Sequence, residues 1–249
     1  MKYIFGNWKM YLDYRESVAL AQALAQTKFN NKKIELAVFP SALSLKEVMD
    51  NLQGTAISLG SQDHTWHLAG AYTGALSARM FKELGCKYAL CGHSERRHVF
   101  GDTDEEVRKK IEEALNVDLT PVVCIGETQE DRKAGKRQYR LKKQLLKAFE
   151  NLNLNSGKVI IAYEPVWAIS KAGAGEPCLP PEADDVQGWI KQEFKKYFSI
   201  AVPVLYGGSV DAKNVLAYLS QPMIDGVLVG NASTKAGSLF SLIRETEKF

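Results

Sequence analysis

The chain has 249 residues, of which 45% are hydrophobic, 24% charged and 10% aromatic. This is an ordinary globular composition, which excludes disordered, collagen-like and disulfide-scaffold chains. The formal net charge of +3 is too balanced for nucleic-acid or membrane-surface binding, so neither partner is expected.

The N-terminal segment Met1–Asn7 turns polar by its sixth residue and does not read as a signal peptide. No apolar run approaches the ~20 residues that span a bilayer. Cys86, Cys91, Cys124 and Cys178 form no C-x-x-C pair and read as reduced thiols. A cytoplasmic protein is the expectation.

In chain order, the first apolar run is Tyr3–Phe5, ending in Gly6-Asn7-Trp8-Lys9. Ser17–Gln26, rich in Ala, Leu and Gln, follows with helical spacing. Leu36–Phe39 and Ala56–Leu59 are the next two strand candidates. Tyr88–Cys91 is the fourth and runs into Gly92-His93-Ser94-Glu95-Arg96-Arg97. Asp104–Leu115 carries an apolar stripe at Val107, Ile111 and Leu115. Thr103, with Glu106 three residues on, opens it as a capping box. Val122–Ile125 is the fifth strand candidate, Glu127–Gln138 reads as a charged, solvated connection, and Tyr139–Leu152 as a helix. Val159–Tyr163 leads into Glu164 and then into the turn-rich Ser170–Pro181, a loop of functional length. Helical Glu182–Tyr197 precedes the seventh strand candidate, Val204–Tyr206, which ends in Gly207-Gly208-Ser209. Helical Ala212–Leu219 precedes Val227–Val229, which ends in Gly230-Asn231-Ala232-Ser233. Leu239–Glu247 closes the chain with helical spacing.

Each strand candidate is a short continuous apolar run, the pattern of a strand buried on both faces. Eight of them alternating with helices argue for parallel βαβ units. The count and the length favour an α/β fold with one (β/α)8 barrel over residues 1–249. A doubly wound open sheet is the alternative.

Reactive groups of such a barrel sit at the carboxyl ends of its strands. Those ends hold a carboxylate (Glu164), an imidazole (His93) and an ammonium (Lys9). Glu164 is either a desolvated base or a surface group at a loop edge. His93 either bonds to backbone or meets the N-terminus of a helix begun by Ser94-Glu95, which would hold the ring neutral. Lys9 is either a site cation or a solvated surface lysine. The Gly-rich turns after strands seven and eight suit a phosphate, whose oxygens backbone N–H groups can approach there. His64-x-x-His67 beside Asp63 lacks a third and fourth ligand, so no metal is expected. The dinucleotide and nucleoside-triphosphate fingerprints are absent. Cys124 reads as a small buried hydrophobe.

Several blocks resemble the triosephosphate isomerase family in order and register. They are Asn7-x-Lys9, Gly70-Ala71-Tyr72-Thr73-Gly74, Cys91 to Arg97, Ala162-Tyr163-Glu164-Pro165-Val166-Trp167-Ala168-Ile169, and Tyr206-Gly207-Gly208-Ser209-Val210. The resemblance implies a cofactor-free isomerase that interconverts dihydroxyacetone phosphate and D-glyceraldehyde 3-phosphate. In it, Glu164 would move a proton between C1 and C2 of the substrate. His93, as a neutral imidazole, would serve the substrate oxygens, and Lys9 would supply positive charge. Asn7, Lys9, Ser170, Ser209, Gly230 and Asn231 would bind substrate, with Ser94 and Glu95 in support. A homodimer is also implied, with Thr73 near the neighbour's His93.

The resemblance has departures. Ser170-Lys171-Ala172-Gly173-Ala174-Gly175-Glu176 replaces a shorter Gly-Thr-Gly-Lys tip. Asn231 replaces a second glycine, and its tolerance of left-handed φ is expected to keep the turn. Asp63 replaces an asparagine. Ala75 replaces a glutamate that would pair across the dimer with an arginine such as Arg96, so one ionic contact is expected to be missing.

A different phosphate-binding barrel enzyme would want further polar groups at strand ends two and five. Phe39-Pro40-Ser41 and Cys124-Ile125-Gly126-Glu127 offer no obvious acid or base there. A non-catalytic barrel scaffold would tend to lose a reactive residue, and Glu164, His93 and Lys9 are all present.

Overall fold

The computed structural model describes residues 1–154, 158–169 and 177–249. Eight parallel strands close into a barrel in sequence order. They are β1 (Lys2–Asn7), β2 (Ile34–Phe39), β3 (Ile57–Ser61), β4 (Tyr88–Cys91), β5 (Thr120–Ile125), β6 (Ile160–Tyr163), β7 (Val204–Tyr206) and β8 (Gly226–Val229). All eight strand candidates lie in this barrel, and the open-sheet alternative is excluded because β1 pairs with both β2 and β8.

The helices among the described residues are α1 (Tyr14–Ala25), α2 (Leu45–Leu52), α3 (Ala78–Glu83), α4 (Ser94–His98), α5 (Asp104–Asn116), α6 (Gln129–Lys133), α7 (Arg137–Ala148), α8 (Pro180–Phe198), α9 (Val215–Leu219) and α10 (Ala236–Glu247). The Thr103–Glu106 capping box opens α5 as read, and Asp13 with Glu16 forms another at α1. Two prolines at the start of α8 set its first turn, where missing N–H groups cost nothing.

Two apolar layers follow from the period of two along each strand. Ile4, Leu36, Val38, Ile161 and Tyr163 face outward into the helices. Phe5, Ala37, Phe39, Tyr88, Leu90, Ile160, Ala162, Leu205 and Leu228 fill the barrel interior. The inward series continues past each strand end into the mouth. Phe5 is followed by Asn7, Ala162 by Glu164, Leu205 by Gly207 and Leu228 by Gly230. The barrel's packing therefore aims these four positions at one place.

Several expectations change. α2 and α3 add two short helices of 8 and 6 residues to the sequence reading; α2 buries a stripe of Leu45, Val48 and Leu52. α9 is confined to Val215–Leu219, because Asp211 and Asn214 exchange side-chain bonds in a turn ahead of it. The segment 127–138 is not simply a solvated connection. It contains α6, and its first residue, Glu127, is fully buried.

Candidate active site

At the end of β1 the chain makes a strained turn. Lys9 has φ 51°, the left-handed region that side chains rarely adopt. Three bonds hold it there. The Lys9 N–H donates to Asn7 Oδ1 at 3.0 Å, and Gln62 Nε2 donates to the carbonyls of Lys9 at 2.8 Å and Phe39 at 2.9 Å. The Lys9 ammonium meets Glu95 Oε1 at 2.8 Å, with the lysine side chain 15% and the glutamate 47% exposed. A Cβ built on Gly230 would lie 3.3 Å from Lys9 Cε, so the cation lies along the turn after β8.

At the end of β4, His93 caps α4. The Glu95 N–H donates to His93 Nδ1 at 3.2 Å, so Nδ1 carries a lone pair and the proton resides on Nε2. Nε2 in turn faces Glu164 Oε1 at 3.0 Å. Arg97 fastens this turn from below, donating to the Gly92 carbonyl at 2.7 Å and pairing with Asp104 at 2.6 Å.

Glu164 is 2% exposed. The Ser94 N–H donates to its Oε2 at 2.8 Å, opposite the His93 contact. Burial alone would raise its carboxyl pKa. The hydrogen bonds from His93 and the Ser94 N–H, with the nearby Lys9 charge, act against that and favour the ionised form. The carboxylate is thus ionised, desolvated and aimed at the mouth. Gly207 is required beside it, since a Cβ there would lie 2.8 Å from Glu164 Cγ.

A cavity of about 330 Å³ joins these groups. Its walls include Asn7, Lys9, His93, Glu164, Gly207, Gly208, Ser209, Gly230 and Asn231. The structure therefore brings together the three reactive groups and both Gly-rich turns. Ser94 and Glu95 touch them directly. Thr73 stands on an exposed loop and does not line this cavity. Ser170 lies outside the described residues, as does the rest of 170–176. Asn231 lines the cavity but not for the reason expected: it begins a 3-10 turn, Asn231–Ser233, and does not take positive φ.

Strand-end reading missed Gln62 and Glu127. Gln62 is the first residue after β3 and could have been found by the rule that found Lys9. Glu127 is fully buried. It accepts bonds from Tyr163 Oη at 3.0 Å, Trp167 Nε1 at 2.8 Å and Arg137 Nε at 2.9 Å. Nothing local in the sequence marks it as buried. Cys124 is buried too, and that burial, with the Glu164 charge, pushes its thiol far above the ordinary value, so it is no nucleophile at neutral pH. His64 Nε2 meets the Lys110 carbonyl at 2.9 Å, while His67 stacks on Tyr72 with ring centroids 3.8 Å apart. The two histidines serve different partners.

The family model for triosephosphate isomerase matches residues 2–246. The chain belongs to the triosephosphate isomerase family. It is 39% identical to a triosephosphate isomerase of Francisella tularensis subsp. holarctica over 251 aligned positions, covering 99% of this chain and 98% of that one. It is 40% identical to one from Francisella philomiragia, with the same coverage. A triosephosphate isomerase of Dictyoglomus thermophilum is 38% identical, with 98% of each chain covered. The chain's activity is that of a triosephosphate isomerase, and its substrates are the triose phosphates dihydroxyacetone phosphate and D-glyceraldehyde 3-phosphate. Among the described residues, no helix is long and apolar enough to cross a membrane.

Proposed function

We propose that Glu164 is the base of the triosephosphate isomerase reaction, acting with His93 and Lys9. The observation that carries this is the buried carboxylate of Glu164 held between His93 Nε2 at 3.0 Å and the Ser94 N–H at 2.8 Å. Substrate entry displaces the His93 contact and turns Oε1 toward carbon. Glu164 takes a proton from C1 of dihydroxyacetone phosphate. The C1–C2 double bond forms, and the carbonyl electrons move onto the C2 oxygen.

The Nε2–H of His93 and the ammonium of Lys9 meet that developing charge from fixed positions, where stabilisation is strongest. His93 then moves protons between the two substrate oxygens, and Glu164 returns its proton to C2. The phosphate is a non-reacting handle for Ser209, Gly230, Asn231 and the residues around Ser170. Its binding energy can be used on the reacting centre. Asn7 reaches the substrate oxygens. Glu95 supports Lys9, and Ser94 holds Glu164 before substrate arrives. No step calls for a cofactor or a metal.

The reaction in D2O tests this. Starting from D-glyceraldehyde 3-phosphate, the product should carry deuterium at C1, and recovered substrate should carry it at C2. Carbon-bound deuterium in neither triose would contradict the enediolate route.

We further propose one domain over residues 1–249, a cytoplasmic setting among sugar-phosphate reactions, and a homodimer. Met10, Leu43, Tyr72, Leu76, Val99 and Phe100 are exposed on the loops after β1 to β4, an apolar surface that suits a second copy. Arg96, which lacks a glutamate at position 75, bonds within its own chain to Asp63 at 3.2 Å and Asp102 at 2.9 Å. A monomer mass by sedimentation at micromolar concentration would refute the dimer, with Thr73 losing its role beside a neighbour's His93.

A further inference from the structure

Two tyrosines outside the reacting groups converge on one backbone carbonyl. Tyr206 ends β7, directly before the Gly207-Gly208-Ser209 turn, and Tyr218 lies on α9. Their rings stack with centroids 4.2 Å apart and planes 15° apart. Tyr218 Oη donates to the Cys178 carbonyl at 2.6 Å, while Tyr206 Oη reaches the same oxygen at 3.4 Å. Both side chains are buried. Burial raises both phenols, so each keeps its proton and acts as a donor. At 3.4 Å the Tyr206 bond is weak. Tyr218 is therefore the residue that fastens Cys178, and the ring of Tyr206 rests on it.

Tyr206 bears directly on the turn that follows it. A Cβ on Gly208 would lie 2.2 Å from Tyr206 Oη and 2.4 Å from Cζ. The backbone of Gly208 thus lies against the phenol, and a displaced ring would displace the turn. On its other side, Cys178 stands just ahead of α8, which begins at Pro180. One contact point therefore joins α9, the entry to α8 and the turn after β7. The hydroxyl of Tyr218 is not needed to fill space, since Phe would fill the same apolar volume.

We propose that Tyr218 is a positioning residue for phosphate binding: anchored on the Cys178 carbonyl and stacked on Tyr206, it holds the Gly207-Gly208-Ser209 turn in place for the substrate's phosphate. This rests on the reading of that turn as the phosphate site.

The test is Tyr218→Phe in the full chain, with inorganic phosphate as competitive inhibitor of the isomerisation. Loss of one buried hydrogen bond should raise KM and the phosphate Ki by about 3–10-fold. kcat should stay within about twofold and its pH profile unchanged, because the reacting groups are untouched. Tyr206→Phe, which gives up only the weak 3.4 Å bond and keeps the stacked ring, should raise Ki by less. The double variant should raise it by less than the product of the two, as expected for residues acting through one another. An unchanged Ki with a lowered melting temperature would reduce the contact to packing and overturn the proposal. So would a fall in kcat at constant KM. If Tyr218→Phe does not fold, Tyr206→Leu, which removes the stacked ring that bears on Gly208, carries the comparison, and an unchanged Ki there overturns the proposal equally. Failure of phosphate to compete in the wild-type enzyme would instead refute the phosphate reading of the turn, and this inference with it.

Discussion

Replacing Lys9 by Met separates charge from backbone at the most strained residue of the site. The turn at Lys9, with φ 51°, is held by Asn7 and Gln62 through the main chain. None of those bonds uses the ammonium. Its ion pair with Glu95 involves a half-exposed carboxylate, and such pairs contribute about 0–1 kcal/mol. Met keeps the unbranched stem, so Lys9→Met should cost less than about 1 kcal/mol of stability.

Catalysis should respond very differently. An ammonium about 4 Å from a negative oxygen, at an effective dielectric near 20, contributes about 4 kcal/mol. At 1.36 kcal/mol per tenfold, that is about a 10³-fold loss of kcat/KM. Lys9→Gly is a companion. Relief of the left-handed strain, about 1 kcal/mol, is offset by the extra freedom of glycine in the unfolded chain, about 0.5–1 kcal/mol. It should match Lys9→Met in stability and in lost activity. Coupled initial rates and urea unfolding read the two quantities. Activity within tenfold of wild type, or a stability loss above about 2 kcal/mol in Lys9→Met, would refute this division between charge and backbone.

Two other substitutions probe the frame around the site. Lys110 Nζ meets Asp63 at 2.7 Å and Asp102 at 2.5 Å. Lys110→Met would leave these carboxylates to Arg96 alone and should cost about 3 kcal/mol. Burial would raise the Asp102 carboxyl, but Lys110 and Arg96 hold it below its ordinary value of 3.8. A depressed carboxylate contributes its stability above the unfolded pKa and loses it as pH falls through the folded one. The gap between wild type and variant should therefore be full at neutral pH and shrink below 3.8; a gap that widens in acid would contradict the assignment. Gly207→Ala places a methyl 2.8 Å from Glu164 Cγ. Displacing that carboxylate should lower kcat by about 10–100-fold with the far-UV spectrum unchanged, and full activity would show that the base tolerates being moved.

What the sequence revealed follows the inward-facing series. Phe5 to Asn7 and Ala162 to Glu164 are period-two steps off buried strands, so the barrel and its reactive end residues could be read from local pattern. Other parts depend on contacts between distant segments. Lys9 looks like any surface lysine until Asn7 and Gln62 fix its φ. Glu127 sits in a charged run, and only the fold brings Tyr163, Trp167 and Arg137 around it. Asp63 reads as a departure in a loop, yet in space it pairs with Arg96 and with Lys110. Asn231 was expected to need left-handed φ, and the 3-10 turn removes that need.

The central claim is that Glu164 is the base. Its most direct test is the initial rate of D-glyceraldehyde 3-phosphate isomerisation by wild type and Glu164→Gln, coupled to reduction of the dihydroxyacetone phosphate formed. Gln is isosteric and can still accept the Ser94 N–H, so phosphate binding serves as the folded control. The expected result is fast turnover in wild type, and in the variant a kcat lower by at least about 10²–10⁴-fold with phosphate affinity retained. A variant that binds phosphate and turns over within tenfold of wild type would contradict the account.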